Sequence, residues 1–497
     1  FFLTFWHFLR HSMVRSLFTM LLRTSIVILS ASIFADASVD VLNSILSEGV
    51  HSSVYPGTVA VIGNIDGLIY SSAVGHHSYD RNDVTMKNET LFDLASLTKV
   101  VSTTSAIALL YQDGILSLET VVGDVLGDGF NNGGKESITV LNCLLHNAGF
   151  SPDPVPWYWD PAFGCPNTDD AFPAEDFSCL NSMIYDSFLT ETLVTPPGEA
   201  YVYSDLSFIT LQMVVGTLVM QHNLVEKDDM SQCLSLQQAK HITTTKSANG
   251  ETPQPQKIVC AYEAFVRTQV FHRPSPTGPA TQPFMPHTGF LPPEDVWVTA
   301  APTLNDTGEG SYTHKRLQGQ VADGDCYAMG GIAGHAGVFS TASDVGNLAQ
   351  YLLTQAVAAQ NREQNSNYNP EKSTSGVEVL PFLNATTVKL FSTVYNLTQS
   401  SRALGWSTNT PFAEDYGYDH SCGDMSAQTF MHTGYTGTCI CIDPINQLFS
   451  VILTNRIYNC DGQLCPTGSS DPVKEIYRKF NSAAVHLFSH HVLHTKH

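Results

Sequence analysis

The sequence predicts an α+β fold in which one antiparallel sheet is assembled from both ends of the chain, with helices on its faces. Strand patterns lie near the start, at 57–74, and near the end, at 438–454. Between about 120 and 325 the hydrophobic periodicity is helical. The distant strands pair most simply in one sheet, and the helical stretch between them then forms a second, mostly helical lobe. We expect the active site in the cleft between the two lobes.

The composition is that of a globular protein and excludes some classes of partner. Of the 497 residues, 43% are hydrophobic, so the chain can bury a sizeable core. The formal net charge of −22 argues against nucleic acid and anionic membrane surfaces. No spacing of cysteine and histidine resembles a metal site, and no cofactor is expected. The 11 cysteines suit an oxidising compartment, and two pairs are close enough in sequence to be bridged, with the connectivity open: Cys165/Cys179 and Cys460/Cys465.

The N-terminal residues have the pattern of a secretory signal. Arg15 and Arg23 provide positive charge, a short apolar run follows, and Ala35-Asp36-Ala37 is a small-x-small cleavage site. We therefore expect residues 1–37 to be removed and the protein to be secreted or to lie in the secretory-pathway lumen. The alternative is an uncleaved signal anchor, which would hold the protein at a membrane.

The first elements of the mature chain are a helix and a pair of strands. Residues 38–49 form a short amphipathic helix that ends at a glycine. Two strands, 57–63 and 68–74, follow and are joined by a turn containing Asp66-Gly67. These strands form the N-terminal edge of the predicted sheet.

The remaining elements complete the helical lobe and return to the sheet. Residues 222–260 are polar and lack periodicity, which indicates an insertion, and 355–377 indicates a second loop. Strands at 438–443 and 448–454 and a helix over about 471–488 finish the fold. The expected organisation in order is a signal or anchor region (1–37), the N-terminal part of the α/β lobe (38–130), the helical lobe with its insertion (131–320), the C-terminal part of the α/β lobe (321–490) and a tail (491–497).

The first candidate for chemistry is a serine and a lysine one helical turn apart. Apolar residues recur at helical spacing after Ser96, and Asp113-Gly114 ends the helix. Residues three apart share a helix face, so the Lys99 amine can reach the Ser96 hydroxyl. A serine hydroxyl needs an adjacent base, and a lysine that partial burial keeps neutral can be that base. The backbone N–H groups at the helix start are suited to an oxyanion.

A second candidate precedes the next long apolar helix. Tyr203 lies in the loop before that helix, where its phenol can relay or accept a proton, most readily beside a cation. The plainer interpretation is that Ser204 or Asp205 caps the helix and that Tyr203 packs.

The third candidate leads into the last strand pair. Gly434 would let a substrate backbone approach closely, and the N–H of Tyr435 can be a second oxyanion donor. His432 contributes a polar or cationic group. The plainer interpretation is a turn rich in Gly and Thr. Two other histidines, His146 and His335, are interpreted as structural.

The ordered trio of Ser-x-x-Lys, Tyr-Ser-Asp and His-Thr-Gly resembles the serine β-lactamase and penicillin-binding-protein superfamily. Within it, the chain looks most like the class C β-lactamase-related serine hydrolases and esterases. Stretches away from the chemistry, at 144–149, 288–293 and 330–341, share the resemblance. It implies a β-lactamase/transpeptidase-like fold.

The resemblance also implies roles for single residues. Ser96 would be the acylated nucleophile, Lys99 its proton acceptor, and Tyr203 would assist and activate water for deacylation. His432 stands where β-lactamases carry a lysine, so a permanent cation that would hold a carboxylate is lost, which argues against β-lactamase activity. The residues expected to bind the oxyanion or the substrate are Ser96, Asp205, Thr433, Gly434 and Tyr435.

The sequence therefore predicts an esterase-like serine hydrolase that cleaves ester or amide bonds of small-molecule or peptide substrates through an acyl-enzyme on Ser96. A D-amino-acid peptidase or transpeptidase and a β-lactamase are the alternatives. A non-catalytic binding or scaffold module on the same fold is a further alternative. The choice between esterase and peptidase depends on the loops around the cleft, including 150–180 and 222–262.

Overall fold

A computed structural model of the chain gives its fold. It describes residues 39–163, 181–239, 254–306, 315–364, 382–412, 420–458 and 471–488. The predicted signal or anchor region, the tail, and the pairs Cys165/Cys179 and Cys460/Cys465 lie outside these residues. Within them, no helix combines the length and the apolar character needed to cross a membrane.

The central sheet is antiparallel and takes its strands from both ends of the chain, as predicted. Val59 of the first strand faces Leu453 of the last strand, which fixes the register between the two ends of the sequence. With strands numbered along the chain, the spatial order is β2 (Gly67–Gly75), β1 (Gly57–Asn64), β11 (Leu448–Thr454), β10 (Thr438–Asp443), β9 (Phe430–Gly434) and β8 (Ser407–Thr408).

Two hydrophobic cores lie on the two faces of this sheet. Successive strand residues point to opposite faces, so Val59 and Val61 pack into the core shared with the helical lobe. Ala60 and Ile62 pack on the other face, against helices α1 and α12, which span 39–51 and Asp471–Phe488. Alternate apolar side chains of β1 therefore contribute to both cores.

The middle of the chain forms the helical lobe and two small sheets. The helices are α2 (Ser105–Gln112), α3 (Val122–Leu126), α4 (Val140–Leu144), α5 (Asn181–Thr190), α6 (Asp205–His222), α7 (Lys227–Ala239), α8 (Gln254–Phe265), α9 (Gly324–Ala328), α10 (Ala342–Gln364) and α11 (Ala385–Ser392). The short strands are β3 (Phe92–Asp93), β7 (Val338–Ser340) and β4 (Gly289–Phe290) in one sheet, and β5 (Pro302–Asp306) and β6 (Lys315–Gln318) in the other.

Helix α6 organises the helical lobe. It is apolar on all sides and buried along most of its length, as expected for a helix surrounded by other helices. Helices α3, α4 and α8 pack against it, while α10 covers β1 and β11 of the central sheet. The N-terminus of α6 therefore has a fixed position relative to the sheet.

Two segments predicted as irregular are helical in part. The predicted insertion 222–260 contains α7 and the start of α8, which pack together and are joined by the Cys233–Cys260 disulfide. The predicted loop 355–377 begins inside α10, which continues to Gln364. Polar and exposed residues along α7 hide its helical period.

Candidate active site

Ser96 lies in a tight turn between β3 and a long buried helical run. Ala95–Leu97 form a single 3-10 turn, Lys99–Thr104 are π-helical, and α2 continues the run to Gln112. The predicted helix start is therefore present, although its first turns are not regular α-helix. Ala95 has a φ of +47°, a left-handed conformation that is strained for a residue with a side chain.

A buried aspartate holds this strained turn. Asp93 Oδ1 accepts a hydrogen bond from the N–H of Ala95 at 2.9 Å, and Oδ2 accepts one from the N–H of Ala322 at 2.8 Å. Burial raises the pKa of Asp93 to about 6. Asp93 thus connects the serine turn to the segment that leads into α9.

Lys99 is completely buried and lies against several polar groups. Its Nζ lies 2.8 Å from Ser96 Oγ, 3.3 Å from the carbonyl oxygen of His335 and 2.7 Å from Oδ1 of Asp205. Burial by itself lowers the pKa of Lys99, but the charge of Asp205, with a contribution from Tyr203, raises it above its ordinary value. Lys99 is therefore an ammonium that donates to Ser96.

The expectation of a neutral lysine base is corrected by this contact. The expectation considered burial alone, which does favour the uncharged amine. A carboxylate at 2.7 Å outweighs burial in this site. In this arrangement the ammonium of Lys99 donates a hydrogen bond to the Ser96 hydroxyl.

Tyr203 lies directly before α6 and is surrounded by cations and imidazoles. Lys99 Nζ is 5.0 Å from the centre of the tyrosine ring, and the Cζ atom of Arg402 is 5.2 Å from it. The ring of His146 is 4.5 Å away, tilted by 31°. The alternative prediction, that Ser204 or Asp205 caps this helix, is correct for Ser204. Its side chain accepts a hydrogen bond from the N–H of Ser207 at the start of α6.

His432 faces Tyr203 from strand β9, with ring centres 6.3 Å apart. Its Nδ1 lies 2.8 Å from the carbonyl oxygen of Thr433, and since a carbonyl only accepts, Nδ1 carries the proton. Burial, with Arg402 and Lys99, lowers the pKa of His432 well below its ordinary value. His432 is therefore neutral, and its buried Nε2, which has no hydrogen-bond partner among the described residues, is an acceptor.

Strand β9 packs directly on the serine turn. A Cβ at Gly434 would lie 2.5 Å from the carbonyl oxygen of Leu94, so a glycine is needed there for the strand to approach the turn. The backbone that approaches Gly434 in the structure is that of Leu94, and the expected approach of a substrate stays a prediction. Thr433 is half-buried in β9, and Tyr435 follows the strand with 63% of its surface exposed and its ring under Arg456.

The remaining predicted site residue, Asp205, is the first residue of α6. Its carboxylate binds Lys99, and its N–H donates to the carbonyl oxygen of Pro152. The structure thus brings Ser96, Lys99, Tyr203 and Asp205 into one cluster, with β9 beside it. Asp205 belongs to this cluster through its ion pair with Lys99.

Sequence reasoning missed one residue of the cluster. Arg402 lies in the segment before β8, has 8% of its surface exposed, and donates from Nε to the hydroxyl of Tyr201 at 3.2 Å. No motif surrounds it; the only signal is a single arginine in a stretch of small and apolar residues. His146, interpreted as structural, lies against Tyr203 and accepts the N–H of Ser204 through Nδ1.

One set of side chains beside Lys99 has the geometry of metal ligands. One ligand atom each from Asp205, Asp323 and His335 lies within 4.8 Å of the others. Both carboxylates, however, are already paired with cations of the protein, Asp205 with Lys99 and Asp323 with His335 at 2.9 Å. Burial acts to lower the pKa of His335, but the charge of Asp323 outweighs burial and raises the pKa above its ordinary value, which favours the protonated ring. In this arrangement Lys99 and His335 compete with a metal ion for the two carboxylates.

A serine beside a lysine and a tyrosine, at the junction of an antiparallel sheet and a helical lobe, is typical of serine hydrolases that work by acyl transfer. The chain belongs to the Beta-lactamase family, whose pattern matches residues 42–219 and 262–465. The match omits 220–261, which contains the whole stretch 222–260 predicted to be an insertion. The protein is thus a serine hydrolase of the serine β-lactamase and penicillin-binding-protein superfamily.

One curated protein and two solved structures illustrate what this chain is similar to. A protein of Escherichia coli K12 named "Putative D-alanyl-D-alanine carboxypeptidase" is 25% identical over 427 residues, which cover 81% of this chain and 79% of that protein. The solved structure of "EstCE1, a hydrolase with promiscuous acyltransferase activity" has a TM-score of 0.53 at 16% identity, over 89% of this chain and 99% of that one. A D-alanine carboxypeptidase AmpC from Burkholderia cenocepacia has a TM-score of 0.53 at 15% identity, over 90% and 99%. The two structures support the fold.

Proposed function

We propose that the protein is an esterase-like hydrolase that is acylated on Ser96 and acts on small esters or amides without a carboxylate group next to the scissile bond. The observation that carries this proposal is the state of His432. A neutral ring whose N–H is already used by Thr433 offers a hydrogen-bond acceptor and no positive charge. A carboxylate at this position would be repelled by the lone pair of Nε2.

The proposed first step forms a bond between Ser96 Oγ and the substrate carbonyl carbon. Tyr203, as the phenolate, takes the hydroxyl proton, because the ammonium of Lys99 has no free electron pair. The N–H groups of Ser96 and Tyr435 would hold the oxyanion. Tyr203 then gives the proton to the leaving group as the tetrahedral intermediate breaks down to the acyl-enzyme.

The second step releases the acid. Water attacks the acyl carbon, Tyr203 accepts a proton from that water, and the proton returns to Ser96 Oγ as the ester bond to the enzyme breaks. Lys99 stays protonated throughout and donates a hydrogen bond to Oγ in both steps. The residues present are sufficient for acyl transfer.

Intact-mass analysis tests the nucleophile. The wild-type protein is incubated with p-nitrophenyl butyrate, and separately with a fluorescent penicillin, alongside Ser96→Ala. We expect a butyryl adduct in the wild type, at most a slow penicillin adduct, and neither in Ser96→Ala. Folded wild-type protein without a butyryl adduct, or an adduct that persists in Ser96→Ala, would overturn the proposal.

A second candidate, a D-amino-acid carboxypeptidase, is favoured by the name of the Escherichia coli relative. A matched substrate pair separates the two candidates. An acylated D-Ala-D-Ala peptide with a free C-terminal carboxylate is compared with its C-terminal methyl ester. We expect the neutral compound to react faster, whereas a carboxypeptidase would prefer the free acid.

We also propose that the protein is secreted or lies in the secretory-pathway lumen. The disulfides Cys233–Cys260 and Cys422–Cys441 support an oxidising compartment. N-terminal sequencing of protein recovered from the culture medium tests this, and we expect the mature chain to start after Ala37. A protein retained on membranes with residues 1–37 intact would favour the anchor instead.

A further inference from the structure

Arg402 is a buried cation that lies beside Tyr203. Its guanidinium lies over the rings of Tyr201 and Tyr203, with Cζ 5.5 and 5.2 Å from their centres. Among the described residues, no carboxylate forms an ion pair with it, and its buried Nη1 has no hydrogen-bond partner. Burying an unpaired charge costs free energy, so such a group is a candidate for a functional role.

The surroundings of Tyr203 show what this charge can do. Burial first, and then Arg402, lowers the pKa of both His146 and His432 well below the ordinary value, so neither imidazole contributes charge. The positive charge of Lys99 is offset by Asp205 at 2.7 Å. The charged and titratable groups around Tyr203 or around its partner Lys99 are Lys99, Asp205, His146, His432, Arg402, Asp153, Asp323 and His335.

We propose that Arg402 supplies the permanent positive charge that His432 does not, and that it acts through Tyr203 by stabilising negative charge on the phenol oxygen. It is a positioning residue, since the aromatic rings separate it from the reacting atoms. This inference rests on the proposed role of Tyr203 as the base. Its physical reason is the cation above the ring face, at a distance where the interaction in a desolvated site is strong.

The test is the pH profile of kcat/KM for p-nitrophenyl butyrate in Arg402→Gln and Arg402→Lys. Without the charge, we expect kcat/KM at neutral pH to fall about 10- to 100-fold and the acid limb of the profile to move about one unit to higher pH. KM should change little. The charge-conserving Arg402→Lys should keep the wild-type acid limb.

A second variant separates charge from packing. Adding His432→Lys to Arg402→Gln places a cation on the other side of Tyr203 and should restore the acid limb toward the wild-type position, whereas adding His432→Gln should not. Melting curves establish that each protein is folded. If Arg402→Gln does not fold, His432→Lys in the wild-type background should still move the acid limb to lower pH.

Two results would overturn the inference. One is an unchanged acid limb in folded Arg402→Gln, and the other is an unchanged acid limb in folded His432→Lys. Either would show that added or removed charge beside Tyr203 does not affect the reaction. The butyryl adduct on Ser96 of the wild type is measured separately, so failure of this inference is distinguished from failure of the proposed function.

Discussion

Nζ of Lys99 lies 2.7 Å from Oδ1 of Asp205 in a position where the lysine has no exposed surface. The pair decides the protonation state of the site, because the carboxylate keeps the lysine charged against the effect of burial. The ammonium also donates a hydrogen bond to Ser96 Oγ at 2.8 Å. Through Lys99, Asp205 therefore affects both the contacts and the charge beside Ser96.

Asp205→Asn tests this effect. Asparagine keeps an oxygen that accepts from Lys99 but removes the negative charge, so the region around Ser96 becomes more positive. We expect the acid limb of kcat/KM for a p-nitrophenyl ester to move to lower pH, by about one unit. Asp153→Asn is the matched control, because Asp153 is also an acid close enough to affect Asp205 and Lys99, and a smaller shift is expected. A move to higher pH in Asp205→Asn would contradict the argument.

The fold could be predicted because its signals are local. The alternation of β1 and the strand pair before α12 indicate half of the sheet, and the final helix spans Asp471–Phe488 as expected. Helices α7 and α8 could not be predicted as a packed pair, because their short apolar faces and their disulfide depend on contacts between distant residues.

The site could be predicted as a set of residues but not as an electrostatic state. Spacing alone places Lys99 beside Ser96, and the structure gives 2.8 Å between Nζ and Oγ. The charge on Lys99 depends on Asp205, and that on His432 depends on burial and Arg402. Both charges depend on residues that are close in space but distant in sequence. Periodicity in the sequence therefore does not predict them.

His432→Lys should change which substrates react. A lysine would offer a cation where the histidine offers a neutral acceptor, so compounds with a carboxylate should gain affinity. We expect acylation of Ser96 by a fluorescent penicillin to become at least about 10-fold faster, with less change for p-nitrophenyl butyrate. His432→Gln, which adds no charge, is the control. Equal gains for the penicillin and the neutral ester would argue against charge as the cause.

Gly434→Ala should damage the site through packing. The added Cβ would meet the carbonyl oxygen of Leu94 at 2.5 Å, and backbone atoms cannot move aside as a flexible side chain can. We expect a loss of about 1–3 kcal/mol in unfolding free energy and a fall in kcat/KM of at least about 10-fold, since the serine turn would shift. Gly67→Ala serves as a control for general loss of a glycine in the sheet: its Cβ would meet nothing within 4 Å, although its φ of +136° adds strain. A fully active Gly434→Ala would show that β9 does not position the turn.

Asp325→Asn should change how stability depends on pH. Asp325 lies buried in α9, where burial and then Asp323 raise its pKa from 3.8 to about 8, and its Oδ1 accepts the N–H of Tyr158 at 2.6 Å. The folded protein therefore holds this proton more tightly than the unfolded chain does. The stability that the protonated acid contributes is fully present below about pH 4 and is lost as pH rises toward 8.

Asparagine resembles the protonated acid and cannot ionise, so the pH dependence should flatten in this variant. Each pKa unit corresponds to about 1.4 kcal/mol, which makes the expected gain over wild type at pH 8 on the order of a few kcal/mol. Thermal melts between pH 5 and pH 9 measure the effect. Asp325→Ala is the control, because it removes the acceptor of the Tyr158 N–H and should be less stable than Asp325→Asn at every pH. If wild type and Asp325→Asn lose stability equally between pH 5 and pH 8, Asp325 does not hold a proton in the folded protein.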